Sequence, residues 1–161
     1  MVVSSLVFTL VNPDIVMPDV TELFVSAHHF TTKNKDVKIS YLGPNFEKWF
    51  SGMEVASRAG YVLQSKHLTK SLNDKQIMDE LGDSCETDLV DIYHLLSLQS
   101  NGGDGVLLTN GYANIFYIKD VNGVRRAVSA YWLDGGWGVG ARSVEVMSSW
   151  LEGRRVFSRN S

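Results

Sequence analysis

Cysteine is nearly absent: Cys85 stands alone in 161 residues, so no disulfide can form within the chain. Proline is scarce too, at three residues, which leaves no stiff proline-rich linker. Neither sign of charge dominates, since 15 Lys and Arg face 18 Asp and Glu for a net charge of −3. A dedicated DNA-binding domain carries a strongly basic face, so nucleic acid is not expected as a partner. No apolar run reaches the roughly 20 residues of a membrane-spanning helix, so no membrane partner is expected either. The start, MVVSSLVFTLV, is apolar but has neither the basic flank nor the cleavage pattern of a signal peptide. Its β-branched residues suit a strand or strap across a core, and a cytoplasmic location is the expectation.

What is present points to one folded unit. At 44% hydrophobic residues the chain is too apolar for disorder, and its length fits a single domain. The expected domain spans 1–161. Within it, 1–18 reads as an extension, and 150–161, with Arg154, Arg155 and Arg159, reads as a basic tail.

Hydrophobic periodicity and turn chemistry give the elements. Asp19 with Glu22 has capping-box spacing, and Val20, Leu23, Phe24 and Ala27 follow at helical intervals, predicting a helix over 19–30. Residues 37–42 alternate as a half-buried strand, Gly43-Pro44 opens a helical turn, and 60–67 suits another strand. Asn73 with Gln76 caps a helix that Gly82 ends. Asp83 with Glu86 is read as the start of the next, whose apolar stripe is Leu89, Ile92, Tyr93 and Leu96. The last third reads as strands over 113–119, 125–133 and 137–146, joined at Asn122-Gly123 and at Asp134-Gly135-Gly136. Helices and short strands followed by an antiparallel meander make an α+β domain, and the NTF2-like cone is one architecture of that kind.

Charge is uneven. Residues 71–100 carry seven acids against Lys75 alone, which reads as a solvated helical face or as an acidic docking surface.

Signatures of chemistry are few. No Gly-x-Ser-x-Gly elbow, His-Glu-x-x-His helix or Cys-x-x-Cys pair occurs, and no metal or cofactor is expected. Asp91 and His94, three apart on a helix, make a candidate acid–base pair on its polar side. His28 and His29 are adjacent, a poor geometry for chelation, which leaves His28 as a weaker candidate base. His67 has no partner in sequence. Cys85 lies among Asp83, Glu86 and Asp88, which disfavour a thiolate. The glycines of 101–105 follow a helix and enter a strand, the reverse of a phosphate loop. Aromatic residues crowd the meander. Tyr131, Trp132 and Trp137 are the candidate ligand-binding group, with Arg142 as polar anchor and Arg125 or Arg126 as substitutes. Strand alternation sets Arg142 on the face opposite Trp137.

Several segments are similar to a group of bacterial hypothetical proteins with no assigned activity. They are 41–43 (YLG), 49–50 (WF), 108–113 (LTNGYA), 120–123 (DVNG), 132–139 and 156–160 (VFSRN). The resemblance implies a bacterial origin and assigns no residue a role.

The sequence thus favours a non-enzymatic binding or interaction domain with an aromatic-lined sheet. Its candidate partners are a small molecule, a protein, or a second copy of the chain in a homodimer. The alternative is a small hydrolase or isomerase using a His/carboxylate pair.

Overall fold

A computed structural model describes residues 7–159. The elements in chain order are β1 (Phe8–Val16), β2 (Phe24–Val25), α1 (Ser26–His29), β3 (Ile39–Leu42), α2 (Pro44–Phe50), β4 (Glu54–Val55), β5 (Val62–Leu68), α3 (Asp74–Leu81), a 3-10 turn (Gly82–Ser84), α4 (Leu89–Leu98), β6 (Asn114–Lys119), β7 (Arg125–Leu133), β8 (Gly136–Ser143) and β9 (Arg155–Arg159). Seven strands form one sheet in the order β1-β5-β9-β6-β7-β8-β3, and β2 pairs with β4 separately. The α+β class therefore holds.

The sheet is mixed. The β6-β7-β8 meander is antiparallel, as the two turns require, but β9 runs parallel to β6 and β3 runs parallel to β8. Asp134 and Gly135 both take positive φ (53° and 79°), the pairing of a type I′ turn that matches the right-handed strand twist.

Alternation along the strands builds two cores. On one face Phe116, Ile118, Val128, Trp137, Val139 and Phe157 pack against α2 and α4, with Leu89, Ile92, Leu95 and Leu96 fully buried. On the other face Ile115, Tyr117, Ala127 and Val156 pack against Ile77 and Leu81 of α3. Helix α3 packs on residues of β5, β9, β6 and β7. The outer stretch of that same face, over β7, β8 and β3, carries Ser129, Tyr131, Gly140 and the half-exposed Tyr41.

Four expectations need correction. The helix over 19–30 shrinks to Ser26–His29, because the Asp19 carboxylate accepts the Gly60 N–H at 2.7 Å and Val20 forms a bridge with Arg58. Helix α4 starts at Leu89, not near Asp83, because Asp88 and Asp91 form its capping box. Of the expected tail, Arg155–Arg159 is strand β9: Val156 and Phe157 alternate between the two cores, and β9 lies inside the sheet between β5 and β6, while residues 160–161 lie outside the described part. Residues 8–16 of the expected extension are edge strand β1, paired with β5; residues 1–6 lie outside the described part.

The acidic stretch is also largely committed internally. Asp74 and Asp91 are fully buried, Asp88 pairs with Arg58, and Glu86 faces Lys119 and Arg125. Asp79, Glu80 and Asp83 are the acids left exposed.

Candidate functional site

Strand β8 reads GWGVGARS, and its glycines recur at every second position: Gly136, Gly138 and Gly140. Successive side chains on a strand point to opposite faces, so these glycines share the face away from Trp137, Val139 and Ala141. Their cross-strand partners occupy the same face. Gly138 pairs with Tyr131 of β7 on one side and with Tyr41 of β3 on the other; Gly140 pairs with Ser129, and Arg142 with Ala127.

The result is a glycine-floored trough. Around Gly140 it holds a hollow of about 380 Å³ bounded by Tyr41, Ser129, Tyr131, Arg142 and Trp150. A second hollow of about 480 Å³, over Gly138 and Asp134, shares Tyr41 and Tyr131 with the first. Both fall within the roughly 300–1,000 Å³ of ordinary ligand pockets. At Gly138 a Cβ would collide with the Tyr131 ring, so the absent side chain is what seats that ring on the strand. At Gly140 the only atom near a Cβ would be Ser129 Oγ at 3.8 Å, so the space above it opens into the hollow. Burial, and then Tyr41, raise the Tyr131 phenol, which stays neutral. Among the described residues the hydroxyls of Tyr41, Ser129 and Tyr131 make no hydrogen bond to protein, and no carboxylate lines the hollow at Gly140.

Arg142 closes one end and is held from three sides. Its Nε donates to Asp74 Oδ2 at 2.9 Å, its Nη2 donates to the Ser148 carbonyl at 2.9 Å, and its guanidinium lies 4.0 Å above the Trp150 ring. Asp74 also accepts from the Tyr117 hydroxyl (2.7 Å) and from Trp150 Nε1 (2.6 Å), both on Oδ1. One buried carboxylate therefore fixes three donors and sets the trough's end wall. Burial, and then the Asp74 charge, hold the Tyr117 phenol far above its usual range. The Nη1 group of Arg142 has no acceptor among the described residues, which leaves it as a donor for a ligand.

The expected ligand group is split between faces. Tyr131 and Arg142 meet at the trough, while Trp137 is fully buried on the helix-covered face with its Nε1 donating to the Gln99 carbonyl. Trp132 stands edge-on to Trp137 with ring centroids 5.3 Å apart, and its indole covers Gly102. Arg126 pairs with Asp120 and stacks on Trp49, and Arg125 faces Glu86. Sequence reasoning missed Tyr41, Ser129, Gly138, Gly140, Trp150 and Asp74. The alternating glycines of β8 were the available signal.

The acid–base candidates do not assemble. Asp91 does not lie on a polar helix face beside His94. It is fully buried, accepting from Tyr61 Oη, from Arg58 Nη2 at 3.2 Å and from the Asp88 amide at 2.9 Å. Its place as the third residue of α4 turns the carboxylate back toward the cap. His94 is partly buried, which pulls its pKa down, and His28 is exposed. His29 stacks on Phe24 at 4.2 Å and contacts the Val25 carbonyl. Cys85 is buried, and burial raises its thiol pKa. Among the described residues no group of three or more His, Cys, Asp or Glu is placed to hold a metal ion, and no helix is long and apolar enough to cross a membrane.

The Asp91 cluster has a pH signature. Burial and the neighbouring Asp88 charge push its carboxyl up to about 6, against the opposing contacts from Tyr61 and Arg58. An unfolded aspartate titrates near ~3.9. Between about pH 4 and pH 6 the folded chain thus holds a proton that the unfolded chain has lost, and stability falls as pH rises through that window. Urea unfolding across pH 4–7 is expected to show this downward contribution in the native chain and not in Asp91→Asn. Identical pH slopes for the two chains would contradict it.

Comparison with protein-family models, with curated proteins and with solved structures returns no match to this chain.

Proposed function

We propose that this protein is a small-molecule-binding domain whose site is the glycine-floored trough on the outer sheet face. Its ligand is a small planar molecule bearing an anionic or acceptor group. The observation that carries this reading is the glycine alternation of β8, with Tyr41 and Tyr131 on the two strands that flank Gly138 and open space above Gly140. Each glycine weakens a strand, and the three have separate causes: Ser40 crowds Gly136 and the Tyr131 ring covers Gly138, while at Gly140 nothing but the open hollow takes the place of a side chain. Flat walls suit a planar ring. Because Asp74 balances the charge of Arg142, the arginine acts mainly as an oriented donor at the trough's end.

An NTF2-like cone would instead hold its ligand between sheet and helices. That space is filled here, where Phe116, Val128, Trp137 and Val139 pack in one core with Leu89, Ile92 and Leu96 of α4. The outer face instead carries the two hollows over Gly138 and Gly140.

Isothermal titration of the full chain with 2-naphthoate tests the reading. Saturable binding is expected, with cyclohexanecarboxylate, equal in charge but not flat, weaker by about tenfold, or ~1.4 kcal/mol. No saturable heat with 2-naphthoate, or equal affinity for the two acids, would overturn it.

A further inference from the structure

Away from the trough, a cleft of about 530 Å³ opens between β1, the end of α4 and the 104–106 loop. Its walls are apolar: Val11, Ile15, Val16, Leu98 and Val106 line it, and Val16 and Leu98 are 77% and 63% exposed. Gln99 fixes the loop, its side chain bonding both the amide and the carbonyl of Leu107 and the carbonyl of Gly103. A Cβ at Gly105 would lie 2.5 Å from the Gln99 side chain, so loop and helix end meet as closely as a glycine permits.

Two opposite charges border this cleft without pairing. Arg155 sends Nη1 to the Val106 carbonyl at 2.6 Å, while its Nε is buried with no acceptor among the described residues. Among the described residues no carboxylate lies within 4.0 Å of it. Burial lowers the pKa of Arg155, as expected for a partly desolvated cation without a counter-ion. Asp104 borders the same cleft and the adjoining hollow that also contains Arg155, and it has no cationic partner among the described residues. Asp14 adds a second acid to the lining.

We propose that this cleft binds an apolar α-amino acid, its carboxylate on Arg155, its ammonium on Asp104 and its side chain against the Val11, Ile15 and Leu98 wall. An unpaired arginine alone would select any anion, and the apolar wall alone any hydrocarbon. The separated acid is what selects a zwitterion, because a simple anion meets Asp104 at the same entrance. Each charge contact with the ligand is worth the ordinary strength of a charge-assisted hydrogen bond.

The test is an ¹H–¹⁵N NMR titration of the full chain with L-leucine, 4-methylpentanoate (no ammonium) and 3-methylbutylamine (no carboxylate). Saturable shifts with leucine are expected at the amides of residues 98–106 and 155, each analogue binding about tenfold or more weaker. Asp104 is exposed, so Asp104→Asn keeps the fold and is expected to weaken leucine by a similar factor while leaving 4-methylpentanoate no weaker. Equal affinity for all three compounds, leucine binding indifferent to Asp104→Asn, or no saturable shift at those amides would overturn the proposal. None of these outcomes bears on the trough, which 2-naphthoate reports independently.

Discussion

Replacing Asp74 with alanine is expected to remove about 3–5 kcal/mol of stability, the loss typical when one partner of a buried ion pair is taken away. The carboxylate is fully buried, and three donors converge on it from different parts of the chain: Tyr117 in β6, Arg142 in β8 and Trp150 in the loop before β9. Without it the buried Tyr117 hydroxyl loses its acceptor and Arg142 its counter-charge, and each is penalised separately. Asp74→Asn divides the effect. Both Tyr117 and Trp150 bond Oδ1, which an asparagine carbonyl can replace; Arg142 bonds Oδ2, where an amide group would confront the guanidinium. Urea denaturation should therefore rank the chains native, Asn, Ala, with the asparagine chain also losing affinity for 2-naphthoate as the trough's end wall loosens. A loss below about 1 kcal/mol for Asp74→Ala would mean that the network is not structural.

Gly140→Leu should do the opposite, sparing the fold and removing the binding. Gly140 has no positive φ, so a side chain there is unstrained, and its nearest neighbour would be Ser129 Oγ at 3.8 Å. Stability is expected to stay within about 0.5 kcal/mol of native, or to rise slightly as strand entropy is reduced. The leucine side chain would stand in the hollow beside Tyr131, and 2-naphthoate affinity is expected to fall by about a hundredfold, roughly 3 kcal/mol. Titration calorimetry beside thermal unfolding separates the two effects. Undiminished affinity in a stably folded Gly140→Leu chain would place the ligand elsewhere.

Tertiary contacts override local signals only where the two compete for the same group. The 125–133 strand, the Pro44 helix start and the Asn73/Gln76 cap are all local, and the structure keeps each of them, while the strand expected over 137–146 runs from Gly136 to Ser143. Asp19/Glu22 has equally good helix-start spacing, but Gly60, forty-one positions away, claims the Asp19 carboxylate first. Asp83/Glu86 yields to Asp88/Asp91 because the second pair also meets Arg58 and Tyr61. The site divides the same way. Tyr131 and Arg142 were legible because alternation along β7 and β8 is a property of each strand. Tyr41 was not, because its place beside Gly138 depends on a parallel pairing across nearly the whole meander and the helices before it. Asp74 was hidden in an acidic stretch that reads as solvated, since only the fold reveals the three donors around it.

The most direct measurement is an isotope-filtered NOE spectrum of 2-naphthoate bound to the labelled full chain. Ligand protons should show NOEs to the Gly140 α-protons, the Ala127 methyl group and the Tyr131 ring, all bordering one hollow on the outer face. NOEs to Trp137 or Val139 on the helix-covered face, or to none of these residues, would contradict a binding site in the trough.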